Sequence, residues 1–147
     1  MVGRMRLLLL LIVLGVPLPM RAIPGDRVDI PPLKTSIYVG SVTLTTGEFA
    51  RDGAAFNATY EAKVRPWFFW SETGRITIIL PPADLRRLLA GETVEFKGEA
   101  ANHKNKPRHV TGRAQPADKE TGRIKVRIGV DDTELIFNGT YRLKDAP

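Results

Sequence analysis

The chain has 147 residues, 43% hydrophobic and 26% charged, with a formal charge of +6 and no cysteine. That composition gives one modest domain with an apolar core and excludes a disordered chain. It also excludes disulfide staples, cysteine-ligated zinc, thiol catalysis and a lipidated N-terminal cysteine.

The N-terminus reads MVGRMRLLLLLIVLGVPLPMRA. Arg4 and Arg6 precede an apolar run over 7–16, and Pro17 and Pro19 then break it. A basic start, a short apolar stretch and a helix-breaking end predict a secretory signal over 1–22, cut near Ala22. The run is shorter than the ~20 residues a spanning helix needs. Met20 is larger than the small residue usual two positions before such a cut, so an uncleaved N-terminal anchor is the alternative. The expected location is the periplasm or the exterior. Without residues 1–22, which carry Arg4, Arg6 and Arg21 and no acid, the balance falls from +6 to +3. So mild an excess does not by itself mark a polyanion binder.

Residues 23–36, IPGDRVDIPPLKTS, hold three prolines and a glycine and read as an extended leader or linker. The domain is expected over 37–147, with largely β patterning. In AFNATYEAKV, Phe56, Ala58, Tyr60, Ala62 and Val64 alternate with Asn57, Thr59, Glu61 and Lys63. Successive strand residues face opposite sides, so this strand has one dry and one wet face. The same period places Ile76, Ile78 and Leu80 together. It also groups Ile124, Val126, Ile128 and Val130, and then Leu135, Phe137, Tyr141 and Leu143. The intervening Asp131 and Asp132 supply turn chemistry, which predicts a hairpin over 123–143.

One helix interrupts the strands at PPADLRRLLAGE. Pro82 suits a first turn, Leu85, Leu88 and Leu89 make one stripe, and Gly91 suits the stop. Gly40, Gly98, Gly112 and Gly139 each sit between two same-face strand residues. Glycine there marks bends or close approach, as a curled sheet requires. The expected fold is all-β: a small antiparallel β-barrel or β-sandwich of about seven or eight strands with one short helix.

Two segments are candidates for binding. Arg65, Pro66, Trp67, Phe68, Phe69 and Trp70 put four aromatics in a row beside a cation. As a strand, Trp67 and Phe69 would face opposite to Phe68 and Trp70. Either the strand is covered on both sides, with the Leu85 helix over one, or one pair lines a ligand site. Large rigid aromatic surface suits lipid, peptide or sugar, and Arg65 suits an anionic head group. The second segment is the loop 102–109, with His103, Lys104, Lys106, Arg108 and His109. No acid lies between Glu99 and Asp118, so the cations are uncompensated along the chain. The loop is either a solvated hairpin tip or a contact for phosphate, anionic lipid or an acidic polymer.

No metal site is expected, because His103 and His109 have no nearby carboxylate and do have nearby lysines. No nucleophile elbow, phosphate loop, dinucleotide fingerprint or nucleic-acid module occurs. Glu72 is the one carboxylate whose aromatic neighbourhood would raise its pKa by desolvation. NAT (57–59) and NGT (138–140) match a glycosylation pattern but fall inside predicted strands. No cofactor, catalytic residue or nucleic-acid partner is therefore expected. The reading is a non-catalytic exported binding module for an amphiphilic or lipid-like molecule, with peripheral membrane contact or an anionic envelope component as partner. The alternative is a structural or assembly protein of the cell envelope, acting by strand addition at an exposed edge near Pro66 or by oligomerisation. A hydrolase is third.

Overall fold

The computed structural model describes residues 25–145. The expected export leader and its cut near Ala22 lie outside the described residues.

Alternation builds the wall of a barrel. The first four strands are β1 (Arg27–Asp29), β2 (Leu33–Ile37), β3 (Gly40–Thr46) and β4 (Phe49–Asp52). The long β5 (Ala55–Arg65) follows, then β6 (Glu72–Ile79), the helix α1 (Pro82–Leu89) and β7 (Val94–Asn102). The chain finishes with β8 (Pro107–Pro116), β9 (Thr121–Val130) and β10 (Thr133–Lys144). Every pairing is antiparallel, and β5 to β10 run as a meander. β4 lies along the first half of β5 and β3 along the second. β1 pairs with both β4 and β10, with Arg27 opposite Lys144. The ring β1, β4 and β5 to β10 therefore closes on itself, so the fold is a closed eight-stranded barrel and not a sandwich.

The stretch expected to be a leader is instead part of this wall. From Arg27 it supplies β1 and β2, and Leu33 is buried at 3% exposure. Pro31 and Pro32 fall between the two segments, where no ladder bond is asked of them, so they bend the strand rather than exclude it.

The core fills the barrel. Phe56, Tyr60, Val64, Ile76, Ile124, Val126, Ile128, Phe137, Tyr141 and Leu143 are all buried, at the positions the period-two pattern assigns inward. The 123–143 hairpin forms as expected: β9 and β10 pair across a two-residue turn, with Val130 opposite Thr133 and Asp131 in the left-handed region. What space remains inside is apolar and small, about 70 Å³ around Phe56 and Phe96 and about 30 Å³ near Phe137. Drug-sized ligands occupy cavities of roughly 300–1,000 Å³, so this interior is packing and not a ligand chamber.

The inward glycines let large side chains cross the barrel. A side chain at Gly112 would collide with the Phe96 ring, and one at Gly139 with Leu33. Gly40 differs from its expected role. It sits at the start of β3 with φ +138° and its backbone against the Arg65 carbonyl, at a turn rather than on the inner face.

α1 does not cover the aromatic run. It follows the far end of β6, and Leu85 and Leu88 are buried there. Leu85 packs against Gly25, at the barrel end opposite the aromatics. Among the described residues, one end of the barrel is thus closed by α1, and the other carries turns and a short 3-10 segment.

Candidate functional site

Four connections meet at the open end: 38–39 between β2 and β3, 66–71 between β5 and β6, 103–106 between β7 and β8, and 131–132 between β9 and β10. Together they border a cleft of about 810 Å³.

The aromatic run is not a strand, covered or otherwise. Pro66 has no amide proton to continue the β5 ladder. The chain then turns as a short 3-10 helix over Phe68–Trp70. Trp70 donates to the Trp67 carbonyl and Ser71 to that of Phe68, both at 3.0 Å. The Ser71 hydroxyl accepts the Val64 amide at 3.0 Å, tying the turn to the end of β5. All four aromatics are exposed, from 39% at Trp67 to 77% at Phe68. They stack on one another, with ring centres 5.4 Å apart for Phe69 and Trp70 and 5.8 Å for Trp67 and Trp70. Trp67 is anchored by its indole N–H, which donates to the Val39 carbonyl at 3.1 Å. A stacked cluster held at both ends is a rigid surface, and aromatic pairs in such tilted or edge-on geometry attract.

The basic segment divides. Asn102 shapes the β7–β8 turn: its side-chain oxygen accepts the amides of Lys104 and Lys106, both at 2.9 Å. His103, Lys104 and Lys106 line the same cleft as Trp67, Phe69 and Trp70. Arg108 is not a solvent-facing cation as expected. It lies inside the barrel wall with its side chain 7% exposed, because residues 108, 110 and 114 share the inward parity of β8. His109, of opposite parity, is exposed on the outer face opposite Glu99 and takes no part in the site. Arg65 and Phe68 line an adjoining groove of about 940 Å³ that shares Val64, Ser71, Glu72 and His103 with the cleft.

Under the cleft lies a polar floor. Arg108 grips Glu72 with two nitrogens, Nη2 to Oε2 at 3.0 Å and Nε to Oε1 at 3.3 Å. Tyr60 Oη donates to Glu72 Oε1 at 2.9 Å, and Asn102 Nδ2 donates to Oε2 at 3.0 Å. Arg108 also faces Asp131 at 3.5 Å. Among the described residues, Arg108 alone of the cations in this segment is therefore compensated, by an acid 36 positions away in the chain. Burial alone would raise the Glu72 pKa, as its neighbourhood in sequence suggests. The bonds from Arg108, Asn102 and Tyr60 outweigh that and hold it below the ordinary carboxylate value. Burial and the adjoining carboxylate push the Tyr60 hydroxyl up. Glu72 is therefore an ionised, fully donated-to carboxylate, unsuited to general-acid work at neutral pH.

Glu72, Asn102 and Tyr60 escaped the sequence reading as a group. The signal was present: each shares the parity of its strand's inward apolar residues, Glu72 with Ile76, Asn102 with Ala100, and Tyr60 with Phe56. Three polar residues and an arginine at inward parity, three of the four near strand ends, predict a buried network at one mouth.

No family model matches the sequence, and comparison with curated proteins and with solved structures likewise gives no match.

Proposed function

We propose that the protein is an exported binding module that holds an amphiphile with an anionic head at the open mouth of the barrel, without transforming it. The observation that carries this reading is the shared cleft of about 810 Å³, whose lining includes Trp67, Phe69 and Trp70 together with His103, Lys104 and Lys106. Apolar area at low ordering cost and cations within one concavity suit a molecule that is both oily and negatively charged. In this reading the acyl part lies along the aromatic rim, since interior spaces of about 70 and 30 Å³ are too small for it. The basic leader followed by the apolar run over 7–16 supports export.

The assembly alternative needed a free strand edge near Pro66. There Arg65 pairs with Ser41 on β3, and the Val64 amide is taken by Ser71, so that edge offers little for strand addition.

Both tryptophans are in the rim, so their emission reports the cleft directly. Titration with monomeric dodecyl phosphate should give a saturable shift, and dodecanol a much weaker one. Lys104→Ala with Lys106→Ala should weaken the dodecyl phosphate response selectively. No saturable change with either compound would overturn the proposal.

A further inference from the structure

The exposed apolar surface is concentrated in one place. Of seven exposed large hydrophobic residues among those described, six lie on the rim: Tyr38, Val39, Trp67, Phe68, Phe69 and Trp70. Tyr38 and Val39 cap the β2–β3 turn beside Trp67, and Phe68 points away from the cleft. A cleft for one small molecule explains the inward aromatics. It does not explain Phe68, nor Tyr38 at full exposure. Contiguous exposed apolar surface of this kind marks an interaction site.

The charges around it choose the partner. At the rim, Lys63 is paired with Glu61 at 3.2 Å, and Arg108 is spent on Glu72 below it. Arg65, Lys104 and Lys106 have no ion-pair partner among the described residues. The acids on this side are Glu61, Glu72 and Glu134, paired with Lys63, Arg108 and Arg127, then Asp131, which faces Arg108 at 3.5 Å, and Asp132. Tryptophan and tyrosine are favoured where an apolar medium meets water, and lysine and arginine are drawn to anionic head groups. We propose that this rim docks the barrel, open end down, on an anionic phospholipid surface. Phe68, Phe69, Tyr38 and Val39 enter the head-group boundary, while Arg65, Lys104 and Lys106 meet lipid phosphates. The docking goes beyond the amphiphile reading and does not need it, since the rim is apolar whether or not the cleft is filled.

The test uses the full chain and reads Trp67 and Trp70, so attachment through any other segment is silent unless it buries the rim. Vesicles of phosphatidylglycerol with bromine-labelled acyl chains should quench the tryptophans, and those of labelled phosphatidylcholine should do so far less. Phe68→Ser with Tyr38→Ser should weaken the quenching titration at least about tenfold. Lys104→Glu with Lys106→Glu should weaken it by a similar factor. Both pairs are surface changes, and an unchanged melting temperature confirms the fold. Docking predicts that the quenched protein pellets with the vesicles. Quenching carried wholly into the supernatant means an extracted lipid in the cleft, which overturns docking while supporting the amphiphile reading. Absence of quenching, or quenching that neither variant pair alters, overturns docking. A concentration-dependent dimer abolished by the Phe68 and Tyr38 changes would also overturn it, by assigning the rim to a second copy.

Discussion

Replacing Glu72 with glutamine isolates the charge of the floor while keeping its shape. The carboxylate is 15% exposed and receives bonds from Tyr60, Asn102 and two Arg108 nitrogens. After Glu72→Gln, Arg108 keeps its burial but retains only Asp131 as a counter-charge, at 3.5 Å and 75% exposed. A pair so open to water returns little. Removing one member of a buried pair costs about 3–5 kcal/mol, because the other charge is left uncompensated. The floor borders a wet cleft, so the low end applies, about 3 kcal/mol. Urea unfolding at neutral pH measures it. Glu72→Leu with Arg108→Met leaves no buried charge and should cost about 2 kcal/mol less than the sum of the two single changes. The pH dependence follows from the same pair. The folded-state pKa of Glu72 lies below its ordinary 4.5, so the contribution is complete above that value. It fades as pH falls through the lower folded value, and Glu72→Gln should flatten this acid limb. A loss under about 1 kcal/mol for Glu72→Gln, with additive behaviour in the double variant, would refute the account of the floor.

Three further outcomes follow from the packing. Asn102→Ala removes the acceptor for the Lys104 and Lys106 amides and a donor to Glu72, and should cost about 2 kcal/mol in urea unfolding while weakening dodecyl phosphate binding. Gly112→Ala drives a methyl group into the Phe96 ring and against the Lys125 carbonyl, and should destabilise by about 1–3 kcal/mol, with only partial recovery when Phe96→Leu is added. Leu85→Ala, at 2% exposure under α1, should lower stability by about 2–5 kcal/mol yet leave tryptophan-monitored binding unchanged, because the helix closes the opposite end.

The barrel wall was legible in the sequence because one dry and one wet face force a period of two. Phe56 to Val64 and Ile124 to Val130 follow it throughout. The aromatic run was not, since four bulky residues in succession carry no period, and only Pro66 hinted that the ladder stops there. The β1–β2 segment was hidden by Pro31 and Pro32, whose local meaning is a break and whose place here is a bend. The floor was hidden by distance along the chain. Tyr60, Glu72, Asn102 and Arg108 sit on four consecutive strands and meet only when the sheet curls. The meeting of rim aromatics and loop lysines depends likewise on which turns share an end, which an antiparallel meander decides and local composition does not.

The seal of the barrel is made by its most separated strands. β1 contributes three residues, and Arg27, Val28 and Asp29 face Lys144, Leu143 and Arg142. Every other ladder from β5 onward joins neighbours along the sequence and can zip as a hairpin, whereas this one waits for nearly the whole chain. The joint should therefore form last and breathe first. In native-state hydrogen exchange the amide of Val28 should open well before those of Val110 and Phe137, and a graft that fuses the two ends should raise its protection without touching the mouth.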